Sequence, residues 1–308
     1  MRQRSTLNID GLHTLDGGMA TELEKLGCDL SGPLWSAEVL RTQPDRVRAV
    51  HASYLDAGAD CLLTASYQVS AMGFRELGLP RESAADMLRR SVQLAEEARD
   101  GYRRSHIRPI WIAASLGPYG GALHNGAEFH GNYDCTFDDL VAFHRERLLV
   151  LAETEADFFA LETVPSREEA RAIVEALHAV PGLPAYISFT CRDDRHVAHG
   201  EDLADCARLL DAEPQLVAIG VNCTAPPLIE PLVRQLKTAT RKKIVVYPNS
   251  GERWDGGTRS WTGESNPQSF GALALIWRQA GADWIGGCCR TGPDHVRIIA
   301  DALAVSHP

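Results

Sequence analysis

Eight short apolar stretches recur along the chain at intervals of a few tens of residues, and this repetition most limits what the chain can fold into. They read HTLDG (13–17), CLLTASY (61–67), IWIAASLG (110–117), FFALETV (158–164), AYISFT (185–190), LVAIGVNC (216–223), KIVVYPNS (243–250) and DWIGGCC (283–289). Each is too short for a typical helix and is bounded by polar, Gly or Pro punctuation, so each predicts a buried strand. Between them lie segments with apolar residues three and four apart, such as RESAADMLRRSVQLAEEARDGY, FDDLVAFHRERLLVLAET, SREEARAIVEALHAV and NPQSFGALALIWRQAGA, which predict amphipathic helices. Ser166 and Asn266 stand where helix N-caps are wanted. Strands alternating with helices run parallel, because each helix carries the chain back across the sheet.

Eight such units in 308 residues predict an α/β chain folded as a single (β/α)8 TIM barrel, with residues 1–308 as one domain. A doubly wound open sheet is the competing arrangement, but no GxGxxG follows the first strand. The longer connections, 118–136 and 251–265, are expected to be loops decorating one face, the first able to close over a ligand.

Charge narrows the partners. A formal net charge of -10 repels phosphate backbones and anionic lipid, which predicts no nucleic-acid and no membrane partner and favours small molecules. The N-terminal MRQRSTLNIDGLHTLDGG lacks an apolar core of the kind that directs secretion, and no run approaches a bilayer-spanning length. Eight cysteines in a chain this long are sparse for a disulfide scaffold, and a cytoplasmic location is expected.

In a barrel of this kind the chemistry gathers where the strands end. The polar residues at those ends are Asp16 with Gly17 and Gly18, Ser66 with Tyr67, Ser115, Glu162 with Thr163, Asn222 with Cys223, Asn249, and Cys288 with Cys289. Cys223 closes the sixth stretch and Cys288 and Cys289 close the eighth, so three thiols far apart in sequence are expected on one rim. Soft thiolates select zinc, and three protein ligands leave one coordination position open, as in catalytic rather than structural sites. Neighbouring residues on a strand face opposite ways, so Cys288 and Cys289 share a metal only where the ladder ends; Gly286 and Gly287 are expected to supply the backbone freedom. The competing readings are small buried hydrophobes, a strained vicinal disulfide at 288–289, and a zinc-binding redox sensor. A zinc hydrolase would want His or carboxylate ligands, which these strand ends do not offer.

Zinc held by three thiolates suits alkyl transfer to a thiol, because the metal lowers the thiol's pKa while the surplus negative charge keeps the sulfur nucleophilic. The nucleophile is then the substrate's own thiolate, with no protein nucleophile. Asp16 and Glu162 are placed to hold an α-ammonium group, and the backbone N–H groups around Gly17 and Gly18 to receive its carboxylate. LDGG also reads as a plain strand-to-helix turn. A sulfonium donor would sit against Tyr67 or a tryptophan such as Trp35, although either aromatic ring also fits an ordinary packing role.

The stretches LDGGMATELEKLGCDL, LWSAEVL, TASYQVS, GPYG, ETVPS, GVNC, VVYPNSGE and GGCCRTGPDH cover nearly the whole chain. In them the chain resembles the homocysteine S-methyltransferases, in particular the stand-alone type that uses S-methylmethionine or S-adenosylmethionine. The resemblance implies a zinc-dependent barrel with Cys223, Cys288 and Cys289 as zinc ligands, homocysteine recognition at Asp16, Gly17, Gly18 and Glu162, and Tyr67 and Asn222 around the metal and the donor; Ser66, at the end of its stretch beside Tyr67, is a further substrate-binding candidate. It further implies methyl transfer from the sulfonium donor to the zinc-bound thiolate of homocysteine, giving methionine in methionine biosynthesis. Relatives that methylate selenocysteine or selenohomocysteine share the same motifs. Those motifs do not separate S-methylmethionine from S-adenosylmethionine.

Overall fold

The computed structural model describes residues 9, 11–32, 34–255, 260–263 and 265–305; the N-terminal residues 1–8 and 10 read above for targeting, and part of the 251–265 connection, lie outside them. Seven of the eight expected stretches form strands: β1 (Cys61–Leu63), β2 (Trp111–Leu116), β3 (Phe158–Val164), β4 (Ala185–Phe189), β5 (Leu216–Asn222), β6 (Lys243–Tyr247) and, after a separate hairpin of β7 (Arg253–Asp255) and β8 (Ser260–Thr262), β9 (Trp284–Ile285). The seven are parallel in the order β1-β2-β3-β4-β5-β6-β9, giving a curled sheet with helices between successive strands.

Seven of the eight expected stretches therefore form continuous ladders. The stretch 13–17 makes only single bridges, Thr14 with Ile285 at one edge of the sheet and Leu15 with Cys61 at the other. Only these two residues lie in ladder position before Gly17 and Gly18 lead the chain into the helix Met19–Lys25, too few for a continuous ladder. The strand ends also fall earlier than expected. β1 stops at Leu63, so Ser66 and Tyr67 sit in the turn beyond it, and β9 stops at Ile285, so Cys288 and Cys289 lie past the ladder.

Two apolar layers hold the sheet. Residues with the same parity along each strand, among them Cys61, Trp111, Phe158, Tyr186, Val245 and Trp284, form one buried cluster on the inner face. The alternate residues, with the apolar faces of the helices, form the larger cluster outside. This period of two follows from the pleat, and each large inner side chain contributes about 1.5–3 kcal/mol relative to exposure. Continuing the inner parity to the strand ends brings Ser115, Glu162, Ser188, Asn222 and Tyr247 to the same interior.

The helices start where their caps predict: Ser166 Oγ accepts from Glu169 N, and Asn266 Oδ1 accepts from Gln268 N. The two long connections are more structured than expected, one carrying the short helix Tyr119–Ala122 and the 3-10 turn Ala127–Phe129, the other the β7–β8 hairpin. Among the described residues no helix is long and apolar enough to cross a membrane.

Candidate metal centre and its surroundings

The sulfur atoms of Cys223, Cys288 and Cys289 all lie within 4.8 Å of one another, with Cys223 Sγ and Cys289 Sγ 3.4 Å apart. Tetrahedral zinc with bonds of about 2.3 Å separates its sulfurs by about 3.8 Å, so this donor set fits one soft cation. The backbone explains the convergence. Cys223 follows the last residue of β5 with φ of 50°, the left-handed region, and donates its N–H to Tyr247 O at 3.1 Å. Cys288 N donates to Pro248 O at 2.8 Å, Ser250 N to Cys289 O at 3.1 Å, and Thr291 Oγ1 to Cys288 O at 2.7 Å. The cysteine turn is therefore stitched to the end of β6 on one side and to itself on the other.

Gly286 and Gly287 act differently from the expectation of backbone freedom, since neither has positive φ. What they provide is room: a Cβ on Gly286 would stand 2.6 Å from Leu15 Cβ, and one on Gly287 would stand 2.2 Å from Thr291 Oγ1. The same holds for Gly17, whose Cβ would meet the Tyr54 ring at 2.9 Å, and Gly18, whose Cβ would meet Cys288 O at 2.7 Å. Gly18 N–H donates to Thr291 O at 3.0 Å, so that amide is already occupied and is withdrawn from the expected carboxylate-binding pair.

Three half-buried or buried thiols this close compete for ionisation. Cys289 is held as thiolate well below the usual cysteine range by hydrogen bonding from Cys223 and Cys288, while Cys223 is pushed well up through its bonds to Cys288 and Cys289. A divalent cation removes that competition, because ligation favours every thiolate at once.

Two carboxylates share this interior. Asp16 is buried and its Oδ2 accepts Leu63 N–H at 2.9 Å; burial, with the nearby charges of Glu162 and Cys288, raises its pKa well above the normal carboxyl value despite that hydrogen bond. Glu162 sits where β3 shifts register between Leu161 and Val164, an irregularity that re-aims side chains at a strand end. Burial, then the charge of Cys288, pushes Glu162 up to about 8, and Ser115 Oγ donates to its Oε1. Both carboxyls lack a cationic partner among these contacts.

Asn222 is fully buried beside Thr163 and Cys288. Its Oδ1 accepts from Thr163 N and Ser188 Oγ, each at 2.8 Å, and its Nδ2 donates to Thr163 Oγ1 at 2.8 Å and approaches Cys288 Sγ at 3.9 Å. Tyr67 is half-buried, its ring lying against Gly117 and Gly121. Ser66 is turned inward instead: its hydroxyl donates to Ser115 O at 2.7 Å and lies 2.6 Å from Thr64 Oγ1. Trp35, considered above for a sulfonium, caps the helix Ser36–Thr42 with φ of 45°.

Three contributors went unnoticed in the sequence. Tyr247 and Ser188, whose hydroxyls lie 2.6 Å apart, help frame Glu162 and Asn222, and the period-two pattern of KIVVY and AYISF would have found them. Thr291 ties the cysteine turn to Gly18 and had no such signal.

The family profile described as homocysteine S-methyltransferase matches residues 13–303. The homocysteine S-methyltransferase YbgG of Bacillus subtilis (strain 168) is 46% identical over 94% of this chain and 93% of its own length. The selenocysteine Se-methyltransferase of Brassica oleracea var. italica is 42% identical, covering 95% of this chain and 89% of its own. Among solved structures, the metallated form of the homocysteine methyltransferase MmuM from Escherichia coli superposes with a TM-score of 0.86 at 39% identity, covering 94% of this chain and 96% of that one. A family match across nearly all the chain, supported by relatives of this identity and coverage, places it: the chain belongs to the homocysteine S-methyltransferase family.

Proposed function

We propose that this chain transfers a methyl group from a sulfonium donor, S-methylmethionine or S-adenosylmethionine, to the thiol of homocysteine, giving methionine, with Cys223, Cys288 and Cys289 as the ligands of a zinc ion. The observation that carries the reading is the convergence of those three sulfurs within 4.8 Å from two distant parts of the chain. A zinc ion held there supplies the positive charge against which a thiol loses its proton at neutral pH.

The chain's own residues do the rest. Asp16 and Glu162, two buried carboxyls without a cation, receive the α-ammonium group of homocysteine, and Ser115 fixes Glu162 for that contact. Gly17 N–H, for which no partner is present among the described residues, is left to meet the amino acid's carboxylate, Gly18 N–H being occupied by Thr291. Asn222 Nδ2 orients Cys288 Sγ. The Tyr67 ring faces the donor. In the transfer, a lone pair of the acceptor sulfur forms the new S–CH3 bond as the donor's C–S bond breaks, and the electron pair of that bond neutralises the sulfonium. No protein atom takes the methyl group.

The fold reading goes with this. We take the curled sheet together with 13–17 as an eight-stave (β/α)8 barrel and residues 1–308 as one domain, supported by bridges from Thr14 and Leu15 to the two edge strands. We also take the location to be cytoplasmic, eight cysteines in 308 residues being sparse for a disulfide scaffold.

The test is to purify the protein under reducing conditions, measure zinc, and assay methionine formation from homocysteine with each donor, with a selenocysteine arm for the selenol alternative. Near one equivalent of zinc and methionine formation abolished in Cys289→Ala are expected. Under half an equivalent, or unchanged activity in that variant, contradicts the proposal.

A further inference from the structure

The 118–136 connection brings a third carboxylate to the rim, one that neither the strand pattern nor the cysteine spacing marks. Glu128 lies in the 3-10 turn Ala127–Phe129, which packs on the end of β3 and closes over the helix Tyr119–Ala122 so tightly that a Cβ on Gly120 would stand 2.4 Å from Glu128 N. The connection is also tied from behind. Glu169, fully buried, accepts from Tyr119 N, from Tyr133 Oη at 3.0 Å and from His144 Nε2 at 2.9 Å. Glu128 is therefore carried on a fixed support.

One oxygen of that carboxylate, Oε2, is buried and has no hydrogen-bond partner among the described residues. The Tyr67 ring lies against Gly117 and Gly121, and Gly121 adjoins the Gly120 that meets Glu128 N, which sets Glu128 on the connection against which that ring packs. Burial pushes its carboxyl up to about 7. A buried carboxylate oxygen without a donor is costly, and a ligand that brings N–H groups to it recovers that cost on binding.

We propose that Glu128 is the recognition residue of the methyl-donor subsite, its Oε2 accepting from the α-ammonium group of a sulfonium amino acid while the Tyr67 ring faces the sulfonium. The unpartnered atom chooses between the donor's two cationic groups: a sulfonium has no hydrogen to donate, and an ammonium has three. The positive sulfur is served instead by an aromatic face. Two ammonium groups then enter one site from different elements, the acceptor's at Asp16 and Glu162 and the donor's at Glu128, which sets the two sulfurs toward each other. This inference rests on the methyl-transfer reading above.

The test uses the full-length, zinc-loaded protein with Glu128→Gln, nearly identical in shape, and compares S-methylmethionine with trimethylsulfonium, which lacks the ammonium. Loss of a charge-assisted hydrogen bond predicts a KM for S-methylmethionine raised at least about tenfold, with the KM for homocysteine and the rate with trimethylsulfonium within about twofold of wild type. A KM for S-methylmethionine within twofold of wild type, or an equal rise for homocysteine, overturns it. Calorimetric titration of S-methylmethionine without acceptor separates this inference from the reading beneath it. Binding that weakens about tenfold in Glu128→Gln supports the subsite even if no methionine forms, and equal binding, or none by wild type, overturns it.

Discussion

Asn222 grips Thr163 with both ends of its side-chain amide, Oδ1 accepting the Thr163 N–H and Nδ2 donating to the Thr163 hydroxyl, each at 2.8 Å. Thr163 needs the grip. Its φ of 59° is a left-handed conformation that a β-branched residue adopts at a cost of about 1–3 kcal/mol, and it falls at the register shift next to Glu162. Asn222→Ala removes three buried hydrogen bonds, counting the one from Ser188, and is expected to lower the unfolding free energy by roughly 2–4 kcal/mol. Urea denaturation measures it; a loss below about 1 kcal/mol would mean that Thr163 is held by something else.

Gly18 sets the distance between the first helix and the cysteine turn. A methyl group there would stand 2.7 Å from Cys288 O, a backbone atom that cannot swing aside. Gly18→Ala should weaken metal binding about 10–100-fold, as displaced supporting contacts do elsewhere, while far-ultraviolet circular dichroism stays that of wild type. Competition against a chelator of known affinity reads the change, and unaltered affinity would refute the role given to this close approach.

Behind the rim, Arg147 Nη2 points at His144 Nδ1 at 3.1 Å and also donates to Gly117 O at 2.7 Å. Nδ1 must then be an acceptor, which leaves the proton on Nε2 to donate to Glu169, and burial keeps this imidazole's pKa low. Glu169→Ala would remove the negative charge near the buried Arg147, leave His144 Nε2 without its acceptor and free the amide of Tyr119. A loss of about 3–5 kcal/mol is expected, together with faster proteolysis within 118–136. Unchanged cleavage of that connection would argue against its anchoring by Glu169.

His51 offers a pH test away from the site. It is fully buried, both ring nitrogens lack a hydrogen-bond partner among the described residues, and burial lowers its pKa to about 4. Between the unfolded value near 6.5 and about 4 the unfolded chain binds the proton and the folded chain does not, so stability is fully present above that window and falls as the pH drops through it. The loss attributable to this residue reaches roughly 3 kcal/mol by pH 4. His51→Leu should flatten the dependence, seen as the difference in unfolding free energy between pH 7 and pH 4; an identical slope would contradict it.

Much of the fold was legible because parallel strands buried on both faces leave an unmistakable apolar mark, and seven of the eight marked stretches pair as expected. The stretch 13–17 was harder, since apolar character does not reveal how many consecutive residues meet a ladder. The cysteines were legible as a group because each ends a marked stretch. The roles of Gly286 and Gly287 were not: a glycine reads the same whether it supplies a rare φ or an empty volume, and only the nearness of Leu15 and Thr291 decides. Glu128 and Glu169 were hidden for a different reason. They act from a connection and a helix start, where no periodicity says which side chains turn inward.

X-ray absorption at the zinc edge of the resting protein tests the metal centre most directly. Three sulfur neighbours at about 2.3 Å in wild type, falling to two in Cys223→Ser, are predicted. A shell of nitrogen and oxygen alone, or a sulfur count that ignores the loss of Cys223, would contradict the assignment of Cys223, Cys288 and Cys289 as one metal site.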